Sequence, residues 1–151
     1  MGLNGLDLTS ETTLFIDTAP LIYFFEEHPD HIESLSLFFD AVTESGARLV
    51  TSMITYIEVL VHPERAGEGI LAAKYRNFLT NSEQISLYPL NLPVADACAK
   101  LRAQHKLKTP DAIQLAVAAT CGADIVLTND AAWKTVPGFR VILVTELKDC
   151  E

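Results

Sequence analysis

The chain has 151 residues, 49% of them apolar and 21% charged, enough for one compact domain with a buried core, which excludes a disordered or fibrous polymer. Acidic residues outnumber basic ones by 20 to 11, giving a net charge of −9 at neutral pH. That excludes a surface coated in positive potential. It leaves room for an enzyme whose acids are gathered in one site while basic residues cluster elsewhere.

The first twelve residues read as an N-terminal arm and residues 13–151 as a single domain without repeat or linker. Residues 14–17 form a buried strand, and 19–27 a helix begun near Pro20. The apolar run over 14–25 is broken by Asp17 and Pro20, which argues against a membrane-spanning helix, and no basic segment precedes it as a signal peptide requires. A helix over 30–44 stops at Ser45-Gly46, followed by a strand over 48–51. A helix over 53–62 is ended by Pro63; another spans 69–79, then a strand 84–88. Two helices, 94–105 and 110–121, lead to a strand over 124–128, a short helix over 130–135 and a last strand over 140–144. Cys98, Cys121 and Cys150 are scattered and odd in number, the pattern of reduced thiols in a cytoplasmic protein. Five short apolar strands separated by helices predict an α/β fold with a parallel sheet covered on both faces. Such folds bind ligands beyond the carboxyl ends of their strands.

Four carboxylates stand out against that rule. Asp17 ends the first strand, where it also suits a helix cap. Glu58 is the only acid between Met53 and His62, and with Thr55 and His62 it makes a narrow polar stripe on an apolar helix. Such a helix should be largely buried, so the stripe is expected to face a cleft. Asp111, in Thr109-Pro110-Asp111, suits the first turn of a helix with Thr109 as cap, yet it is the only charge in an otherwise core-like helix. Asp130 follows the fourth strand and can cap the turn after it. If these acids converge, neighbours about 4 Å apart repel by roughly 4 kcal/mol at an effective dielectric of 20. The group must then take up protons or a divalent cation, and oxygen-only ligands favour Mg²⁺ or Mn²⁺.

The stretches Phe15-Ile-Asp-Thr-Ala-Pro-Leu-Ile22, residues 52–60 around Glu58, Lys108-Thr-Pro-Asp-Ala-Ile113 and Val126-Leu-Thr-Asn-Asp130 together resemble the PIN domain, most closely the VapC-type toxins of toxin–antitoxin pairs. The resemblance covers residues 14–144. It implies a three-layer α/β/α sandwich with a five-stranded parallel sheet of order 3-2-1-4-5, and an Mg²⁺- or Mn²⁺-dependent endoribonuclease. Asp17, Glu58, Asp111 and Asp130 become its metal-binding and catalytic acids, with Thr128 a hydroxyl neighbour. An antitoxin partner and a homodimer are implied as well. None of the four histidines falls in the motifs: His105 reads as a core-edge residue, His62 as a helix end, and His28 and His31 as loop residues. Arg102 and Lys106, at i,i+4 on one helix face, are candidates for the RNA backbone, and the same face can equally be solvated. Asp96 and Asp124 read as surface residues, with Lys100 able to pair with Asp96. Three alternatives remain: a nuclease of the same family without an antitoxin, a catalytically silent partner-binding domain, and a phosphatase. The last usually needs a second acid two positions after Asp17, where Ala19 stands.

Overall fold

The computed structural model describes residues 5–150. Its elements in chain order are β1 Thr13–Ile16, α1 Thr18–Phe25, α2 Ile32–Ser45, β2 Arg48–Ser52, α3 Met53–Ala66, α4 Gly69–Asn81, β3 Ile85–Tyr88, α5 Leu92–Gln104, α6 Thr109–Thr120, β4 Ile125–Thr128 and β5 Val141–Leu143. Two short 3₁₀ segments, Ala131–Thr135 and Val144–Cys150, flank β5. The strands form one sheet of order β3-β2-β1-β4-β5, and every neighbouring pair is parallel. This is the expected α/β topology.

Period-two alternation along the strands divides the apolar residues between two cores. Leu14, Ile16, Leu49, Ile125 and Leu127 face a core completed by residues of α1 to α4, including Leu21, Phe38, Val59 and Tyr75. Phe15, Val50 and Val126 face the opposite core, with Leu115 and Val117 of α6, Val94 and Cys98 of α5, and Trp133. The sheet is therefore the middle of three layers. β1 lies at its centre, with β2 on one side and β4 on the other, so the strand order reverses at the β1–β4 pair.

Several local expectations differ from the structure. α3 does not stop at Pro63 but runs on to Ala66. Pro63 lies in the closing turns, where it forfeits one backbone bond, and the helix is closed instead by Gly67 in the left-handed conformation (φ 69°) with Glu68 N–H donating to the Pro63 carbonyl at 2.9 Å. Nor is α3 buried around most of its girth. Met53, Ile57 and Val61 are 36%, 56% and 44% exposed, so its apolar residues include an open stripe at i, i+4, i+8. Thr55 is fully buried while Glu58 and His62 are exposed, and the three do not act as one polar stripe. α5 ends at Gln104, with His105 as its cap, so Lys106 sits in the connector to α6 rather than on a face shared with Arg102. The cap position of α6 belongs to Lys108, with Thr109 already helical.

The first four residues of the expected arm, and Glu151, lie outside the described residues. Of the rest of the arm, Leu6 is buried in the first core and the Gly5 carbonyl accepts from Arg140 at 3.3 Å. Asp124 accepts a bond from Thr13 N–H at 2.8 Å, tying β1 to the start of β4. Cys98 and Cys121 are free thiols; the side chain of Cys150 lies outside the described residues. Among the described residues no helix is long and apolar enough to cross a membrane.

Candidate active site

Asp17 leaves the carboxyl end of β1 in extended conformation and caps α1, its Oδ1 accepting from Thr18 N–H at 2.8 Å. Its backbone N–H still bonds Leu127 of β4 at 2.9 Å, which holds it at the reversal point of the sheet. Thr128, the last residue of β4, donates its hydroxyl to Asp17 Oδ2 at 2.7 Å and accepts from Asp130 N–H at 3.1 Å. Asp130 Oδ1 caps the following 3₁₀ turn through Ala132 N–H at 3.0 Å. Local capping and a place in the cleft are thus not alternatives: each aspartate spends one oxygen on its own turn and keeps lone pairs to spare.

The remaining acids come from helices packed beside these strand ends. Glu58, one and a half turns into α3, has Thr18 Oγ1 at 3.4 Å from its Oε1. Asp111 stands in the first turn of α6, a helix whose next residues, Ala112 and Gln114 to Ala118, are all buried.

Electrostatics link all four. Asp17 has its pKa raised above the usual value, chiefly by burial, with the charge of Asp111 adding to it and its three hydrogen-bond donors opposing. Glu58 is raised by desolvation and then by the charges of Asp17 and Asp111. Asp111 is raised by desolvation and by Asp130, while Lys108 and the Trp133 indole lower it. Asp17, Glu58 and Asp111 each therefore sit in the field of another acid, and of these three only Asp111 is offset by a cation, Lys108.

Among the described residues no three acidic, histidine or cysteine side chains already close on one point as ligands of an ion. The donor set nonetheless fits a hard divalent cation. It is made only of carboxylate oxygens, it lies at the carboxyl ends of the strands, and burial together with like charge raises the pKa of Asp17, Glu58 and Asp111, with Lys108 opposing at Asp111. Arg102 and Lys106 do not join this group. Arg102 Nε donates to the Leu107 carbonyl at 3.2 Å, bracing the connector in which Lys106 lies. His62 is exposed, His28 meets Tyr23 edge-on at a ring-centre distance of 4.9 Å, and His31 stacks on Tyr23 at 4.8 Å.

Sequence reasoning set Thr55 beside Glu58 but passed over Gln114, which joins the acids through it. Gln114 is 1% exposed, and its Nε2 donates to Asp17 Oδ1 at 3.0 Å and to Thr55 Oγ1 at 2.8 Å. Its Oε1 accepts a hydrogen bond from Ser52 Oγ. Thr18 Oγ1 lies 3.2 Å from Thr55 Oγ1, so one hydroxyl proton serves both Thr55 and Glu58. Lys108 and Trp133 were missed likewise. The available signal was one amide in an otherwise apolar helix, since a buried amide has to find partners.

The match with the PIN-domain family model spans residues 14–138, and the chain belongs to that family. No curated relative matches it in sequence. Among solved structures it is similar to a DNA-bound VapBC from Salmonella typhimurium, at 20% identity and TM-score 0.71 over 88% of this chain and 98% of that one. A toxin–antitoxin complex from Klebsiella pneumoniae aligns at 23% identity and TM-score 0.67, covering 87% and 97%. VapC20 of Mycobacterium tuberculosis, described as a toxin that cleaves the sarcin-ricin loop, aligns at 14% identity and TM-score 0.69, covering 83% and 95%. At these identities the likeness is one of fold.

Proposed function

We propose that this protein is a metal-dependent endoribonuclease and the toxin of a toxin–antitoxin pair, acting in the cytoplasm. The observation that carries the reading is the mutual field of Asp17, Glu58, Asp111 and Asp130 at the reversal point of the sheet. Membership of the PIN family and the toxin named among the structural neighbours support it. The four acids would hold Mg²⁺ or Mn²⁺, and such an ion, when bound, supplies a water of lowered pKa and neutralises charge on the phosphate. Thr128 and the Thr18 N–H fix which lone pairs Asp17 has left to offer. Lys108 places a positive charge at the Asp111 side of the cleft, where a polyanion must approach.

Cleavage of RNA by this apparatus should leave 5′-phosphate and 3′-hydroxyl ends, stop in EDTA, and nearly vanish in Asp111→Asn. Cyclic-phosphate ends, or undiminished cutting in EDTA, would overturn the assignment. Turnover of a phosphomonoester with none on RNA would favour a phosphatase instead. The pairing is read by co-expression with a small protein encoded beside it, which should copurify and suppress cleavage. If no such protein exists and the chain is harmless on its own, the reading becomes a nuclease without an antitoxin.

A further inference from the structure

Gln114 lies one turn after Asp111 on α6, buried between the starts of α1 and α3. Its amide is fully committed. One N–H goes to Asp17 and the other to Thr55, while the carbonyl oxygen takes the Ser52 hydroxyl. The Asp17 bond fixes which end of the amide faces the carboxylate, because an amide turned over would set its oxygen against a carboxylate oxygen, and the Ser52 hydroxyl donates to the end left over. Ser52 and Thr55 belong to the turn that launches α3, and Ser52 also caps that helix through Ile54 N–H at 3.1 Å. Thr55 in turn is bonded to Thr18, whose hydroxyl reaches Glu58. One uncharged side chain thus ties together the segments carrying Asp17, Glu58 and Asp111.

The choice of residue follows from the field at this point. A cation here would neutralise Asp17 and compete with any bound ion, and a carboxylate would add to the repulsion. An apolar residue would take the acceptor from the buried Ser52 hydroxyl and one donor each from Thr55 and Asp17. An amide alone donates to the carboxylate without changing the charge of the site.

We infer that Gln114 is a positioning residue: its amide sets the orientation of the Asp17 carboxylate and the seating of α3, so that Asp17 and Glu58 present their oxygens to a divalent cation. This rests on the metal-dependent reading above. Partners behind the ligands of an ion commonly change its affinity by 10–100-fold when removed. The effect should appear without any substrate.

The test is a Mn²⁺ titration of the RNA-free protein, followed by fluorescence of Trp133, the only tryptophan, which sits beside Asp111. Gln114→Met keeps the bulk and removes both donors; Gln114→Asn keeps an amide but withdraws it by one methylene, and stands in if the first variant does not fold. Either folded variant should bind Mn²⁺ about 10-fold or more weakly than wild type. With Mn²⁺ in excess, RNA cleavage should show a reduced kcat at unchanged KM. Wild-type Mn²⁺ affinity in a folded variant overturns the role of Gln114 and leaves the metal site standing. A wild type that binds no Mn²⁺ at all overturns the metal-dependent reading and this inference with it.

Discussion

Asp17 accepts from Thr18, Gln114 and Thr128, and its carboxyl still lies above the ordinary value of 3.8 because burial outweighs the three donors. A carboxyl whose folded pKa exceeds its unfolded one holds its proton more tightly in the folded state. Folding is then penalised as pH climbs above the unfolded value, and the penalty is complete once pH passes the folded value. Glu58 and Asp111 are raised in the same sense, with burial again the leading cause. Without metal, Asp17→Asn should therefore match wild type in melting temperature near about pH 4 and exceed it at pH 7. Divalent cation should reverse that order. A ligand at 100 times its Kd adds about 2.7 kcal/mol to the protein that binds it, and the variant should gain less. Equal metal-induced shifts would remove Asp17 from the ligands, and a gap that ignores pH would show that its ionisation is not what the substitution relieves.

α1 and α3 close with the same pair of backbone bonds but different residues at the left-handed position. At the end of α1, His28 N–H bonds the Tyr23 carbonyl at 2.8 Å and Glu27 N–H the Phe24 carbonyl at 3.3 Å, with Glu27 at φ 53°. At the end of α3, Glu68 bonds Pro63 at 2.9 Å and Gly67 bonds Glu64 at 3.4 Å, with Gly67 at φ 69°. A side chain in that conformation costs roughly 1 kcal/mol, and glycine's extra freedom in the unfolded chain offsets part of any gain from removing it. Urea unfolding should find Glu27→Gly stabilised by up to about 1 kcal/mol and Gly67→Ala destabilised by about 1 kcal/mol. A Cβ at Gly67 meets nothing within 4 Å, so the cost there is conformational alone. Loss of stability in Glu27→Gly would show that the glutamate side chain contributes to the turn. The same helix ends mark how far sequence could be read. The parallel sheet and its covered faces were legible because buried parallel strands leave uninterrupted apolar runs between amphipathic segments, whereas the strand order came only from the resemblance to the PIN domain. Pro63 misled because proline breaks a helix interior but is tolerated where few bonds remain to lose, and Lys106 because α5 ends two residues earlier. Asp17 and Asp130 drew notice as acids following strands, Glu58 and Asp111 as lone charges on apolar helices. Gln114 showed only as one amide in an apolar helix, and its role could not be read because its partner Asp17 lies 97 residues away.

At the scale of the whole molecule, the proposed function asks a chain with 20 acidic and 11 basic residues to hold an acidic polymer against an acidic cleft. Steering must come from a local concentration of cations, and the stretch holding Lys100, Arg102, Lys106 and Lys108 is where they are densest. Arg102 braces the connector through the Leu107 carbonyl, Lys106 and Lys108 are exposed on it, and Lys108 already acts on Asp111. If RNA phosphates sit on this connector, each phosphate left without its cation should flatten the log–log salt dependence of binding by about 0.7 for a single strand. Binding is best measured in an Asp111→Asn background, where the strand is not consumed. There, Arg102→Ala with Lys106→Ala should lower the slope by about 0.7 for each phosphate that the two side chains neutralise in the wild type. The pair should also weaken binding by a similar factor for unrelated sequences, because cations on phosphates position a strand without reading it. Arg102→Lys separates its two roles: an ammonium keeps the charge but lacks the guanidinium Nε that holds the Leu107 carbonyl. A normal slope in Arg102→Lys with a reduced one in Arg102→Ala would mean that Arg102 meets RNA directly. A slope reduced in both would place its contribution in shaping the connector around Lys106, and a slope unchanged in every variant would leave the whole basic stretch to solvent.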